Sequence, residues 1–555
     1  MNWRYRFTLF LLIFSFFLVI ARLFYWQIVK AEELFSLGQS QYGGLIKILP
    51  QRGEIKTSDG FSIAANKLTY LVFANPKEIK DKVKTISILS SNLEIDTATV
   101  SAALSLDRFW VPIKSKVDQA TKDRLDALNL RGVGFQQEST RFYPEASMAA
   151  HLIGFVGGDN KGYFGVEGYY DRQLKGKVGI AVQTKDVFGR PILTRANEKS
   201  KEVNGRNLIL NIDRAIQFIL ENRLKEGIER YEAFGGMAAL MDPRTGRILA
   251  MVSFPSFDPG SFQDYPRDYY KNPFVSNMFE PGSTFKPLIM ASALDSKTVK
   301  PDTKCPICAG PITIGDYQIR TWNNKYNKDT NMIEVIKNSD NTGMVFVGKS
   351  LGLSKMLSYL KKFGIGELTG IDLQGEVPPN LKSEELWYPI DLATASFGQG
   401  ISVTPIELLA AFSSIANNGM RMEPHVVGKI ETTEGETIAI KPKVLDKPIS
   451  QQTAKVMTEM LVYAVEKGEA KWAKPKGYRI AGKTGTAQIP VAGHYDPNKT
   501  ITSFIGFAPA NDPKFSMLVV VDRPTTSIYG SETAAPIFFE IAKDLLTYYN
   551  IPPTE

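Results

Sequence analysis

Three short words stand in order along the chain: Ser283-Thr284-Phe285-Lys286, Ser339-Asp340-Asn341 and Lys483-Thr484-Gly485-Thr486. A serine hydroxyl is a weak nucleophile until a neighbouring base takes its proton. Residues three apart on a helix share a face, which puts Lys286 within reach of the Ser283 hydroxyl. A lysine amine normally keeps its proton up to about pH 10.4 and acts as a base only if burial or a nearby cation lowers that value. Lys483 is the candidate cation. Ser339 offers a hydroxyl that can pass a proton to a leaving amine, and Asn341 an amide that can hydrogen-bond a substrate amide. The chemistry implied is acyl transfer through a serine ester.

These groups need particular elements to hold them. Ser283 follows Pro281-Gly282 and precedes an apolar run from Thr284 to Leu294. Pro287 fits only a first helical turn, which predicts Ser283 at a helix N-terminus. There the free N–H groups and the positive dipole end favour negative charge. Ile480 to Ala487 predicts a strand whose glycines, Gly482 and Gly485, let another backbone approach. An extended peptide can pair along it, and the Thr484 and Thr486 hydroxyls can hold a carboxylate. Thr484, Gly485 and Thr486 are thus the predicted substrate-binding and oxyanion segment. The N–H groups of Ser283 and Thr486 are its expected oxyanion donors, each worth about 2.7–4 kcal/mol in such sites. A second S-x-x-K, Ser358 to Lys361, lies in a Leu/Lys-rich amphipathic stretch and reads as a solvated helix face. Each word alone arises by chance; the three in order, each in its context, carry the reading.

Composition closes off other chemistry. The 555 residues hold 66 Lys+Arg against 58 Asp+Glu, a net charge of +8. With no block of five or six like charges, a nucleic-acid partner is not expected. Three histidines (His151, His425, His494) and two cysteines cannot furnish a His-built or four-Cys zinc site, so no metal and no cofactor are expected. His494 reads as a solvated loop side chain, and Asp340 as a turn former. Cys305-Pro306-Ile307-Cys308 reads as a local disulfide rather than a redox motif, because no βαβ pattern surrounds it.

Phe7 to Ala21 carries no charge and apolar character resumes after Arg22 to Val29; these 23 residues make about 34 Å of helix, enough to span a bilayer core. Arg22 can snorkel, and Tyr25 and Trp26 suit an interfacial belt. Arg4 and Arg6 keep the N-terminus inside. The run ends in Ala-Arg-Leu-Phe-Tyr with no small-x-small cleavage site, so an uncleaved anchor is expected rather than a signal peptide. No later stretch is long enough for a second span, so nearly all the mass is expected outside the membrane.

Farther along, Thr69 to Ala74 predicts a strand, and the polar segment Asn197 to Asn207 predicts a linker. Asp213 predicts the cap of a helix with Ile216, Leu220, Leu224 and Ile228 on one face. Met237–Met241 and Arg247–Ser253 around Asp242-Pro243-Arg244-Thr245-Gly246 predict a hairpin. Ile501–Ala508 and Phe515–Val521 predict two more strands, and a last helix from about Ala534 buries Ile537, Ile541 and Leu545. An antiparallel sheet with helices segregated around it, an α+β layout, is the expected class. The expected domains are 1–30 (stub and anchor), 31–205, and 206–555.

The three words together resemble the signature of penicillin-binding proteins. Arg52-Gly53-Glu54-Ile55, Arg141-Phe142-Tyr143-Pro144, Gly165-Val166-Glu167 and Asp186-Val187-Phe188-Gly189-Arg190 are similar to the N-terminal module of the class B members. Ser396-Phe397-Gly398-Gln399-Gly400 with Thr404-Pro405 resembles their transpeptidase domain. The resemblance implies a single-pass enzyme on the outer face of the bacterial cytoplasmic membrane, with a non-catalytic elongated pedestal at 31–205. The transpeptidase domain at 206–555 would combine the antiparallel sheet, its flanking helices and an all-helical subdomain. It implies that Ser283 attacks the D-Ala-D-Ala bond of peptidoglycan stem peptides, that D-Ala leaves, and that an amine of a neighbouring stem resolves the acyl-enzyme. β-Lactams would acylate the same serine, and a multi-spanning glycan polymerase would be the partner. Asn341 and the ending Ser503-Phe504-Ile505-Gly506-Phe507-Ala508-Pro509 resemble the division type more than the elongation type. The cysteine pair and the lack of a C-terminal repeat module depart from the pattern without touching the catalytic set.

Other readings account for less. A β-lactamase needs a water-delivering base, and no Glu-x-x-Asn segment follows Asn341; its task also leaves the first 205 residues surplus. A bifunctional class A protein needs a glycosyltransferase module, which nothing before Gly205 resembles. A scaffold or antibiotic sensor has no use for the intact catalytic set. A D,D-carboxypeptidase differs only in taking water as acceptor, and the residues do not separate it.

Overall fold

The N-terminal helix, Trp3–Phe24, continues through one π-helical turn, Tyr25–Val29. These 27 residues form a helix long and apolar enough to cross a membrane, with a mean hydropathy of 2.5 over its most apolar 18 residues. The Arg22 guanidinium lies 5.1 Å from the Trp26 ring centroid, a cation–π contact near the C-terminal end of this helix. The computed structural model describes residues 3–34, 43–184, 197–491 and 494–553. The motif Asp186 to Arg190 lies outside them.

The described chain forms two compact units, each assembled from separated stretches of sequence. The first comprises Met1–Arg52, Lys67–Thr140 and Gly176–Gly205. In it Tyr70–Ala74, the end of a strand that begins at Ser62, pairs antiparallel with Val111–Val117. Helix Lys82–Leu93, capped by Asp81, supplies Leu89 and Leu93 to a small core with Val72, Ala74 and Leu104. The linker expected at Asn197 to Asn207 is corrected: Asn197–Ser200 is a strand paired with Gly179–Thr184, which also pairs with Gly43–Ile48. A polar strand held by backbone bonds shows no hydrophobic period, so its sequence looks like loop.

The second unit comprises Gly53–Asn66, Arg141–Lys175 and Arg206–Glu555. Helix α1, Arg214–Arg230, starts where the Asp213 carboxylate accepts the N–H groups of Ala215 and Ile216, as its sequence predicts. Strands β1 (Gly235–Met241) and β2 (Ile248–Phe254) form the predicted hairpin. After the helical middle come β3 (Ala481–Val491), β4 (His494–Ala508) and β5 (Phe515–Asp522). The sheet order is β2-β1-β5-β4-β3, antiparallel throughout, with β3 at an edge.

Both faces of this sheet are covered, so β5 reads from Met517 to Val521 as an unbroken apolar run and not as an alternation. On one face Met517 and Val519 pack with Leu220 and Leu224 of α1 and with Ile537, Phe538 and Ile541 of the C-terminal helix, Ala534–Tyr548. On the other, Leu518 and Val520 join Ile406, Leu409 and Phe412 of helix Pro405–Ala416. Burying each such side chain contributes about 1.5–3 kcal/mol. The result is a rigid sheet whose edge strand and helical middle can hold a site.

Three of the N-terminal motifs meet inside this second unit. Arg141 Nε donates to Glu167 Oε1 at 2.7 Å, and its Nη1 donates to the Gly53 carbonyl at 2.8 Å and to Asn66 Oδ1 at 3.2 Å. The two charged side chains are 4% and 0% exposed. At Gly53 a Cβ would lie 1.8 Å from the Arg206 carbonyl oxygen, which admits glycine alone.

Candidate active site

Ser283 sits in a single 3-10 turn, Gly282–Thr284, that leads into helix α2, Lys286–Asp295. The expected helix end is therefore displaced: the nucleophile candidate precedes the helix, and Lys286 is its first residue, followed by Pro287. The turn is fixed from two sides. Gly282 donates its N–H to the Gly398 carbonyl at 3.0 Å, and a Cβ on Gly398 would lie 2.1 Å from the Gly282 oxygen. A Cβ on Gly282 would meet the Thr486 carbonyl at 3.0 Å, so the serine turn lies directly against β3.

Ser339 and Asn341 flank the start of helix α3, Asn341–Leu351, whose cap is Asp340. The Asp340 carboxylate accepts the N–H groups of Thr342 and Gly343, the structural role its position suggests. Ser339 takes the left-handed conformation, φ +54°, a sparsely populated region for a residue with a Cβ. That backbone aims its hydroxyl at the serine turn. The Ser339 and Ser283 hydroxyls are hydrogen-bonded at 2.9 Å.

Lys286 does not bond Ser283 directly, as the helical spacing suggests it would. Its Nζ donates to the Ser339 carbonyl at 2.7 Å and to Asn341 Oδ1 at 2.8 Å, and lies 3.3 Å from Ser339 Oγ. Because Lys286 opens the helix, its side chain runs toward the α3 cap. Asn341 in turn donates to the Arg320 carbonyl at 3.0 Å. Lys483 donates to the Thr484 carbonyl and hydroxyl, both at 3.1 Å. The Thr486 hydroxyl accepts the Gly530 N–H at 3.0 Å, which leaves its own proton available to a ligand.

Both amines are buried, Lys286 with 0% and Lys483 with 3% exposure. Burial, reinforced by the Lys483 charge, pushes the Lys286 amine well below the usual lysine value. Burial lowers Lys483 to about 8, with the Glu469 carboxylate opposing the shift. Of two neighbouring ammonium groups one yields first, and the more deeply buried Lys286 is the one that becomes neutral.

These groups open into a cleft of about 360 Å³ lined by Ser283, Ser339, Asn341, Thr484 and Thr486. Gly485 is not on its wall: a Cβ there would meet Ser503 Oγ at 2.3 Å and Thr284 Cγ2 at 2.8 Å. Likewise a Cβ on Gly482 would strike the Phe504 ring at 2.6 Å. The glycines let the chain's own serine turn and β4 approach, and room for a peptide comes from the free edge of β3.

The cleft also holds residues the motifs do not mark: Arg320, Trp322, Phe397, Gln399, Glu469 and Tyr529. Phe397 and Gln399 belong to the Ser396–Gly400 segment, which stood out only by resemblance. Trp322 and Tyr529 stack edge-on at 5.6 Å, and their loops have no period to betray them. Ser358 and Lys361 are exposed on helix α4, Leu353–Phe363, as the amphipathic reading requires. Cys305 and Cys308 form a buried disulfide. Position 494 falls on β4, and its side chain is outside the described residues.

Comparison with known proteins places the chain in a family. Residues 236–543 match the penicillin-binding protein transpeptidase domain, and residues 47–210 match the penicillin-binding protein dimerisation domain. The chain is 35% identical over 556 residues to stage V sporulation protein D of Bacillus subtilis, covering 98% of this chain and 86% of that one. It is 29% identical over 564 residues to the peptidoglycan D,D-transpeptidase FtsI of Escherichia coli, covering 100% and 93%. The crystal structure of a peptidoglycan synthetase from Bifidobacterium adolescentis superposes with a TM-score of 0.76 at 26% identity, covering 92% of this chain and 98% of that one.

Proposed function

The chain belongs to the penicillin-binding protein family, and from that premise we propose that it is a peptidoglycan D,D-transpeptidase working through an acyl-enzyme on Ser283. The observation that carries this reading is the hydrogen-bonded line from Ser283 through Ser339 to the buried Lys286, laid beside an edge strand. A donor stem ending in D-Ala-D-Ala pairs along β3, its carboxylate on the Thr484 and Thr486 hydroxyls and its amide on Asn341. Neutral Lys286 draws the Ser283 proton through Ser339 while Oγ attacks the penultimate carbonyl carbon. The N–H groups of Ser283 and Thr486 take the oxyanion. The C–N bond then breaks, Ser339 hands the proton to the departing D-Ala amine, and an amine of a second stem attacks the ester.

The proposed role is of the division type, which Asn341 and the Ser503–Pro509 ending resemble more than the elongation type. Residues 1–30 serve as stub and anchor with the N-terminus inside, 31–205 as pedestal and 206–555 as catalytic domain on the outer face. The partner proposed from the family is a multi-spanning glycan polymerase in the same membrane. β-Lactams, which mimic the donor, acylate Ser283.

The test is intact-protein mass spectrometry after exposure to a labelled penicillin, with the adduct mapped by peptide. One penicilloyl mass on the Ser283 peptide, absent in Ser283→Ala, is expected. A strain that divides with unaltered cross-linking on Ser283→Ala would instead favour a scaffold.

A further inference from the structure

A second cavity of about 360 Å³ adjoins the cleft, and Trp322 and Glu469 line both. Its other walls are the loop around Lys325, the turn before Ser339, and the end of helix α5, Gln451–Lys467, with Gly468. Its charges are distributed unevenly. Glu469 is the single carboxylate among the described residues of the cleft and is exposed to it. Lys325 and Lys467 make no ion pair among the described residues, whereas Lys337 is tied to Glu334 and Asp340 caps α3.

This pattern has a chemical complement. The second substrate of a transpeptidase arrives as an ammonium, and among the described residues the other charged group on the cleft wall is Arg320, with the buried Lys483 behind it. Two like charges at close range repel, so an ammonium needs a carboxylate there to offset them. Past that carboxylate the cavity presents two unpaired ammonium groups, which suit carboxylates. A peptide with a primary amine and nearby carboxylates matches both features.

We propose that this second cavity is the acceptor site, in which Glu469 binds the acceptor amine and Lys325 and Lys467 hold carboxylates of the same peptide. The inference rests on the transpeptidase reading above. One ammonium proton passes to Glu469 and on to solvent, and the freed nitrogen lone pair forms the new C–N bond to the acyl carbon. The ester C–O bond breaks, and the second N–H proton returns to Ser283 Oγ by way of Lys286 and Ser339.

The test uses the full chain in detergent micelles, a thioester analogue of the donor, and D-alanine or D-alaninamide as acceptor. Chromatography of the products gives the ratio of aminolysis to hydrolysis, which does not depend on how fast Ser283 is acylated. In Glu469→Gln this ratio is expected to fall at least tenfold with both acceptors, while Glu469→Asp stays within threefold. The double variant Lys325→Gln/Lys467→Gln is expected to lower the preference for D-alanine over its amide at least fivefold. An unchanged ratio in Glu469→Gln overturns the proposal. If the wild-type chain shows no acyl-enzyme mass at all, it is the transpeptidase reading that fails.

Discussion

The hydroxyls of Ser283 and Ser339 stand 2.9 Å apart, with the Lys286 amine beyond Ser339, 3.3 Å from its Oγ. The base thus meets the nucleophile through an intervening hydroxyl, and the three groups act as one device. Removing a proton-transfer group of this kind typically costs about 10²–10⁴ in rate. Ser339→Ala and Lys286→Ala should each slow acylation by a labelled penicillin by that order. Groups acting as a unit are non-additive, so the double variant should be no slower than the worse single one. Losses that multiply would mean Lys286 reaches Ser283 by another route.

Acylation should have a bell-shaped pH profile. Lys286 must be neutral to accept a proton, so the rate rises with pH as that lowered group deprotonates. Lys483 supplies the positive charge beside the reacting groups and the substrate carboxylate, so the rate falls as that charge is lost when pH passes the Lys483 value of about 8. Both limbs belong to the coupled pair. Lys483→Arg keeps its charge at every accessible pH, which should move the falling limb upward. A falling limb that stays near 8 in that variant would assign it elsewhere.

The ion pair of Arg141 with Glu167 is buried and shared with the Gly53 carbonyl. Breaking a buried pair by removing one partner costs about 3–5 kcal/mol, because the other charge is left uncompensated. Arg141→Met should therefore lower the unfolding free energy obtained from denaturant titration by an amount of that order. The double variant Arg141→Met/Glu167→Leu should recover part of the loss, since no charge is then stranded. A double variant as unstable as the single would point instead to the lost bonds to Gly53 and Asn66.

Legibility in the sequence follows how local each signal is. The Asp213 cap and the four-residue spacing of Ile216, Leu220 and Leu224 state α1 outright, because cap and core face lie on one helix. The three catalytic words are also short and local. Ser339 as an intermediary is not legible: it depends on a left-handed backbone at residue 339 and on where α3 meets α2. Trp322, Glu469 and Tyr529 are loop or helix-end residues brought to the cleft only by tertiary packing. The strand Asn197–Ser200 is hidden for the same reason, its partner being fixed by backbone pairing and not by side-chain pattern.

Gly398 offers a sharp separation of geometry from stability. Its φ is +82°, and a Cβ would lie 2.1 Å from the Gly282 oxygen, one residue before the nucleophile. Gly375 has a φ of +101° with nothing within 4 Å of its Cβ position. A side chain on left-handed backbone costs about 1–2 kcal/mol at either place. At Gly398 the Ser283 turn must also shift by about 1 Å, and a misplacement of that size costs about 10²-fold in rate. Gly398→Ala should thus lose both stability and acylation rate, while Gly375→Ala loses stability alone. Rates measured under conditions where both variants remain folded make the comparison. Equal acylation by the two would mean that Ser283 does not depend on the Gly398 contact for its position.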